Sequence, residues 1–169
     1  MKTIIIVGGS KGIGNALVKL LLESHKVINI SRTKPELTHE NLKHFSCDVI
    51  SEDLPNIEKV DSLVYCPGSI NLKPINQLSI DDFKNDFEIN VLGAVKVIQK
   101  YLNALKQGEN TSIVLFSSVA SKLGMPFHAS IATAKSGVEG LVKSLGAELA
   151  PTIRVNALAP TVTSTKLAS

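Results

Sequence analysis

The sequence predicts an α/β fold in which a doubly wound parallel sheet of six strands lies between two layers of helices. Two observations predict it. Short β-branched runs alternate with longer helical patterns along the 169 residues, and a glycine-rich turn joins the first strand to the first helix. Strands separated by helices pair in parallel through right-handed crossovers. The length suits a single domain over 1–169, and a hydrophobic share of 44% can form a buried core.

The first strand is the β-branched run Thr3–Val7, which stops at the glycine turn. A helix is predicted over 13–23, because Leu17, Leu20 and Leu21 share one helical face. Strands follow at 26–30, 44–47 and 61–65. Only twelve residues, 49–60, separate Asp48 from Asp61, so we expect a single turn or an irregular link there.

The second half of the chain keeps the alternation. Residues 80–105 form a long helix or a broken pair of helices, and strand five follows at 112–116. A helix rich in alanine, glycine and lysine is predicted over 128–150 and is closed by Pro151. Strand six is predicted at 153–157.

Charge and cysteine content exclude several classes of protein. The net charge is +3 and the charges are scattered, so nothing indicates nucleic acid or an anionic membrane. Cys47 and Cys66 lack metal-ligand spacing and are too few for a disulfide framework, so we expect buried, reduced thiols and no metal. The N-terminal apolar run is neither a signal peptide nor a membrane span. We therefore expect a soluble cytoplasmic protein.

The glycine turn has the spacing Gly8-x-x-x-Gly12-x-Gly14. Glycine lets the main chain turn sharply and approach a ligand closely, and the N–H groups at a helix start bind phosphate. Lys11 is followed by glycine instead of serine or threonine, so this is not a nucleoside triphosphate loop. The turn predicts a dinucleotide pyrophosphate site, although an isolated glycine turn also occurs for structural reasons alone. The expected ligands are Gly8, Ser10, Lys11, Gly12, Ile13 and Gly14.

Strand two is followed by Ser31-Arg32-Thr33, with no acid to bind a ribose 2′-hydroxyl. Arg32 and Lys11 would instead flank a 2′-phosphate, since a guanidinium forms paired hydrogen bonds to phosphate oxygens. The alternative is two solvated surface cations. The sequence favours NADP over NAD.

Further candidates follow strands three and four. Asp48 would accept a hydrogen bond from an adenine amino group while Val49 packs on the ring. The alternative for Asp48 is a cap for the turn near Ser51. Gly68 would let the main chain approach the ribose.

After strand six, Pro160 begins a threonine-rich tail that contains Thr161, Thr163 and Thr165. Its hydroxyls and amides would bind a nicotinamide carboxamide. The alternative is an ordinary polar loop.

Taken in order, these motifs make the chain similar to the classical short-chain dehydrogenase/reductase family, which has a Rossmann-type fold. The resemblance runs from Val7 to Thr165 and includes the sixth-strand segment Arg154-Val155-Asn156-Ala157. The single residues that match the family's motifs are Gly8, Gly12, Gly14, Asp48, Gly68, Asn90, Ser118 and Lys135.

The resemblance implies hydride transfer between NADPH and a carbonyl or alcohol carbon. It implies that Ser118 polarises the substrate oxygen and that Asn90 holds a water linked to Lys135. It also implies that Lys135 binds the nicotinamide ribose and lowers the pKa of a tyrosine acid four residues earlier.

The position of that tyrosine holds Ile131, thirteen residues after Ser118, as the family spacing requires. Isoleucine has no proton to give, and losing a general acid costs about 10² to 10⁴ in rate. Ser130 points about 100° away along the helix. His128 is the chemically plausible replacement, and the alternative is a packing or surface histidine.

Three hypotheses result. The first is an NADP-dependent oxidoreductase, and the second is a non-catalytic NADP(H)-binding regulator or companion subunit. The third is that a deliberate change or a sequence error has put Ile131 in place of the tyrosine of a normal parent enzyme. Thr161, where the family has glycine, restricts the main chain near the nicotinamide.

The resemblance also implies further C-terminal segments and partner subunits. Relatives continue beyond the sixth strand into a substrate-covering helix pair and a seventh strand, so we expect either an incomplete chain or a partner over that sheet edge. Similar proteins form homodimers and homotetramers through the helices corresponding to 80–105 and 128–150. The second helix carries small residues that permit close approach of another helix, namely Ala129, Ala132, Ala134, Gly137 and Gly140. The alternative is that both helices pack fully within one chain.

Overall fold

Six parallel strands form one sheet in the order β3-β2-β1-β4-β5-β6. The computed structural model describes residues 1–161 and 163. The order reverses between β1 and β4, which opens a crevice at the carboxyl ends of those strands. The predicted doubly wound α/β fold is confirmed. The strands are β1 Thr3–Val7, β2 Lys26–Ser31, β3 Leu42–Ser46, β4 Ser62–Tyr65, β5 Thr111–Phe116 and β6 Ile153–Leu158.

Four α-helices connect the strands. The predicted helix over 80–105 is two helices joined by a π-helical turn at Glu88–Leu92, so the broken pair is the better of the two expectations. Within the described part of the chain, no helix is both long and apolar enough to cross a membrane. The helices are α1 Gly12–Leu21, α2 Ile80–Phe87, α3 Gly93–Lys106 and α4 Ala129–Leu149.

Alternation along the central strand β1 creates two cores. Ile4 and Ile6 face α1 and pack with Val18, whereas Ile5 and Val7 belong to the larger core with residues of α3 and α4. Successive strand residues point to opposite faces. The sheet is therefore the middle of three layers.

Several predicted boundaries differ from the structure by one or two residues. Strand three was expected at 44–47 but lies at Leu42–Ser46, because this edge strand has no fully buried residue and so a weak apolar pattern. The last helix begins after His128, which is its N-cap residue. The link at 49–60 is irregular, as expected, and starts with a turn in which the amide of Glu52 donates to the Asp48 carbonyl at 2.9 Å.

Candidate active site

The glycine turn folds tightly between β1 and α1. Gly8 and Gly12 adopt φ values of +79° and +54°, in the region that L side chains rarely adopt. A Cβ at Gly14 would overlap the Gly8 carbonyl, so the start of α1 lies directly against the turn. The first N–H groups of a helix have no partner inside it. The main chain at Gly12, Ile13 and Gly14 lines the adjoining cleft.

A buried amide holds this turn in place. The Gly9 amide donates to Asn29 Oδ1 at 2.9 Å, and Asn29 Nδ2 contacts Ser31 Oγ at 2.9 Å and His44 Nδ1 at 3.0 Å. Burial lowers the pKa of His44, which favours a neutral ring whose nitrogen accepts from the amide. The sequence analysis missed Asn29. Its signal was an amide within the otherwise apolar run of β2.

The crevice at the strand ends is a cleft of about 610 Å³. Lys11 and Arg32 are both exposed and line the same cleft. Ten residues predicted to bind a cofactor line it together. They are Gly8, Ser10, Lys11, Gly12, Ile13, Gly14, Arg32, Asp48, Val49 and Gly68.

Asp48 lies at the cleft and also takes part in the turn that follows β3. It lines the cleft, and its Oδ1 also accepts from the Ile50 amide at 3.0 Å within the turn after β3. Its own amide donates to Glu52 Oε2 at 2.7 Å. Val49, next to it, is buried. The turn therefore fixes the acid beside an apolar side chain, and its contact with an adenine ring stays a prediction.

Lys135 and Asn90 meet at Gly68. A Cβ placed on Gly68 would lie 3.3 Å from Asn90 Oδ1 and 3.6 Å from Lys135 Nζ. Lys135 Nζ donates to the Phe116 carbonyl at 2.7 Å. Burial lowers the pKa of Lys135 to about 8, while the negative charge of Asp86 opposes that shift. A buried ammonium that titrates near neutrality thus lies beside the cleft.

Ser118 ends the segment after β5, where it is half-buried. Its Oγ accepts from the Ala120 amide at 3.2 Å, so the side chain caps the short 3₁₀ turn Val119–Ser121. Among the described contacts, its hydroxyl touches neither of the other two predicted catalytic side chains.

Ile131 is only 5% exposed on α4, and it carries no group that transfers a proton. Ser130 turns away, as expected, and donates to Asp86 Oδ2 at 2.5 Å. His128 Nδ1 lies 2.6 Å from the Pro126 carbonyl. His128 is thus held against its own chain before α4 begins.

A second feature that the sequence analysis missed is Asp86, which is fully buried on α2. Its carboxylate accepts from Ser69 Oγ at 2.5 Å and Asn71 Nδ2 at 3.1 Å, as well as from Ser130. Asn90 Nδ2 donates to Ser69 Oγ at 3.0 Å and to the Asp86 carbonyl at 2.8 Å. The signal in the sequence was an acid on the inner face of an amphipathic helix.

The tail after β6 runs beside the segment that follows β5. The Pro160 carbonyl accepts from the Val119 amide at 3.3 Å, and Thr163 Oγ1 donates to the Thr161 carbonyl at 3.3 Å. Neither Pro160 nor Thr163 lines the cleft, and Thr165 lies outside the described residues. Their contact with a nicotinamide stays a prediction.

Both cysteines are free thiols, with Cys47 buried and Cys66 half-buried. Burial raises the pKa of Cys66 to about 12, and the charge of Lys135 only partly offsets this. Among residues 1–161 and 163, no three His, Cys, Asp or Glu side chains are grouped to hold a metal ion.

Known proteins are similar to this chain in both sequence and fold. The chain is 31% identical to 2,5-dichloro-2,5-cyclohexadiene-1,4-diol dehydrogenase of Sphingobium indicum, over 94% of this chain and 71% of the relative. A short chain dehydrogenase family protein from Francisella tularensis superposes with a TM-score of 0.87 at 27% identity, covering 99% of this chain and 72% of the other.

A structure of ElxO with NADP bound superposes with a TM-score of 0.84 at 25% identity, covering 98% of this chain and 76% of the other. The family model described as short chain dehydrogenase matches residues 2–169. The chain belongs to the short-chain dehydrogenase family of oxidoreductases.

Proposed function

We propose that this chain binds NADP(H) in the cleft and acts as an oxidoreductase on a small carbonyl or alcohol substrate, without the usual tyrosine acid. The observation that carries the proposal is the convergence of the glycine turn, Arg32 and Lys11 on one cleft of about 610 Å³. ElxO, which has NADP bound in its solved structure, shares this fold. The relative from Sphingobium indicum is a diol dehydrogenase by name.

The residues present fit such a cofactor. A side chain at Gly14 would fill the space at the helix start, and the free N–H groups there suit a diphosphate. The two cations at the end of β2 and in the turn suit a 2′-phosphate. No acid lines the cleft at the end of β2, where Ser31, Arg32 and Thr33 lie.

When bound, the nicotinamide supplies or accepts the hydride. Lys135, which is protonated below about pH 8, would hold ribose hydroxyls with its ammonium. Ser118 would donate its hydroxyl hydrogen to the substrate oxygen. Asn90 Oδ1 is buried and has no hydrogen-bond partner among the described residues, so it would accept a hydrogen bond from a bound water. Ile131 delivers no proton, and we therefore expect turnover to be slow.

The second candidate is a non-catalytic NADP(H)-binding regulator or companion subunit. One observation favours it, namely the buried apolar side chain of Ile131 at the position of the acid. Lys135 would serve cofactor binding equally in an enzyme and in a binding protein. Turnover therefore separates the two candidates, and affinity does not.

Fluorescence titration with NADPH and NADH tests the proposal. We expect NADPH to bind at least about tenfold more tightly, and Arg32→Gln to remove most of that preference. Lys34→Gln is the matched control, because Lys34 is an exposed cation two residues later that does not line the cleft. Equal affinities in the unmodified protein would discard the role of Arg32, and binding of neither nucleotide would refute the proposal. Tight NADPH binding without turnover on a broad carbonyl panel would favour the regulator.

We also propose that the chain forms a homodimer or homotetramer through α2–α3 and α4. Phe87 and Leu92 are 40% and 50% exposed, and a Cβ at Gly140 would meet no atom within 4 Å. Gly137 instead faces Phe87 and Val91 of the same chain, so its small size already serves packing within one chain. Sedimentation velocity tests the assembly. A cytoplasmic location and a single domain over 1–169 stay predictions.

A further inference from the structure

Asp86 is a carboxylate with no exposed surface, placed on α2 where an apolar residue would complete the helix face. Three side-chain donors satisfy it, and they come from two other segments: Ser69 and Asn71 follow β4, and Ser130 belongs to α4. Burying a charge is costly unless it is paired. Hydrogen bonds alone leave its negative charge without a compensating positive one, so a nearby cation is expected.

That cation is Lys135, which is 9% exposed. Among the described residues, the groups near its ammonium are the Phe116 carbonyl from β5, Asn90 from the π-helical turn, Cys66 just after β4 and the charge of Asp86 from α2. Cys66 is a neutral thiol at ordinary pH, because burial raises its pKa to about 12. Asp86 is therefore the negative charge that favours the protonated lysine.

In the described residues, no carboxylate lies within 4.0 Å of Lys135 Nζ. Asn90 lies between the two residues. Its Nδ2 donates to the Asp86 main-chain carbonyl and to Ser69 Oγ, and Ser69 Oγ donates to the Asp86 carboxylate. Its Oδ1 lies beside Gly68, as does Lys135 Nζ. The side chain one helical turn before Lys135 is apolar, since position 131 is isoleucine. A phenolate at that position would have supplied a negative charge on the same face of the helix.

We propose that Asp86 is the buried counter-charge of Lys135 in this chain and that, through Ser69, it fixes the orientation of the Asn90 amide. Asp86 is thus a positioning residue that acts on the site through two others. It supplies from α2 the negative charge that position 131 does not provide. Its effect on cofactor binding rests on the proposed function, whereas its effect on Lys135 in the cofactor-free protein does not.

The test is the titration of Lys135 in the cofactor-free protein, followed by heteronuclear NMR of the lysine Cε–Hε groups and assigned with Lys135→Met. The starting value is a pKa of about 8. We expect Asp86→Asn to lower it by about one pH unit or more, since an opposite charge is removed. Asp81→Asn is the matched control, because Asp81 is exposed on the same helix and pairs with Lys84. Equal titration of Lys135 in both variants would overturn the proposal.

A double-mutant cycle covers the case in which Asp86→Asn folds poorly. The shift in urea midpoint caused by Asp86→Asn is measured with Lys135 present and in the Lys135→Met background. A smaller shift, or recovery of folding, in the Lys135→Met background supports the charge pairing. An equal shift in urea midpoint in both backgrounds would show that Asp86 has a purely structural role, and it would contradict the charge pairing.

The proposed function fails separately from this inference. Absent NADPH binding with a normal Lys135 titration would refute the proposed function alone. Normal NADPH binding with an unresponsive Lys135 would refute only the role of Asp86.

Discussion

Replacing Ile131 by tyrosine would return a proton donor to the site. Position 131 lies one helical turn before Lys135, so the two side chains share a face of α4. The ammonium would favour the phenolate and bring the pKa of the phenol towards neutrality. We expect Ile131→Tyr to raise the rate of NADPH-dependent carbonyl reduction.

The expected gain is about 10² to 10⁴ in kcat, which is the contribution of one general acid. A cost accompanies it, because Ile131 is 5% exposed and a larger ring must displace its neighbours. Overpacking of this kind lowers the free energy of unfolding by about 1 to 3 kcal/mol. The assay is the fall in NADPH absorbance over a panel of small ketones, with urea unfolding measured in parallel.

Ile131→Phe is the matched control, since it adds the same ring without the hydroxyl. Both variants should lose similar stability, and only the tyrosine variant should gain rate. The tyrosine variant could instead bind NADPH normally and turn over no faster than the phenylalanine variant. That result would refute the claim that the site lacks only its proton donor.

Four further predictions concern the cleft and its support. Gly14→Ala places a methyl group against the Gly8 carbonyl and should weaken NADPH binding at least about tenfold in a titration; unchanged affinity would contradict the role of the turn. Asn29→Val leaves the buried Gly9 amide without an acceptor and should lower the free energy of unfolding by about 1 to 3 kcal/mol in urea, and a neutral result would contradict that hydrogen bond. NADPH affinity should fall as the pH rises through about 8, where Lys135 loses its proton. An affinity that stays constant up to pH 10 would contradict the binding of the ribose by Lys135. The pKa of Lys135 is lower in the folded state, so the unfolded state binds more protons above about pH 8. The free energy of unfolding should therefore rise from about pH 8 towards pH 10.5. The Lys135→Met variant should not show that rise.

Much of the fold could be predicted because its signals are local. The β-branched run Thr3–Val7 and the glycine turn specify a strand and a helix start within a few residues. The π-helical turn at Glu88–Leu92 was not specified. Its extra residue depends on tertiary contacts, such as the hydrogen bond from the Tyr65 hydroxyl to the Ile89 carbonyl at 2.7 Å. Such a contact joins segments that are distant in sequence.

The candidate site divides in the same way. Main-chain ligands at strand ends could be located because parallel strands bring their carboxyl ends together. The roles of Asn29 and Asp86 could not be predicted, because each residue binds partners that are distant in sequence. A polar residue in an apolar pattern signals a buried hydrogen bond, but it does not name the partner. The roles of these two residues became visible only in three dimensions.

A crystal structure of the chain with NADP tests the central claim most directly. The account predicts diphosphate oxygens within hydrogen-bond distance of the Ile13 and Gly14 amides, and a 2′-phosphate on the guanidinium of Arg32. A dinucleotide bound elsewhere, or a cleft filled by the protein's own side chains at saturating NADP, would contradict it.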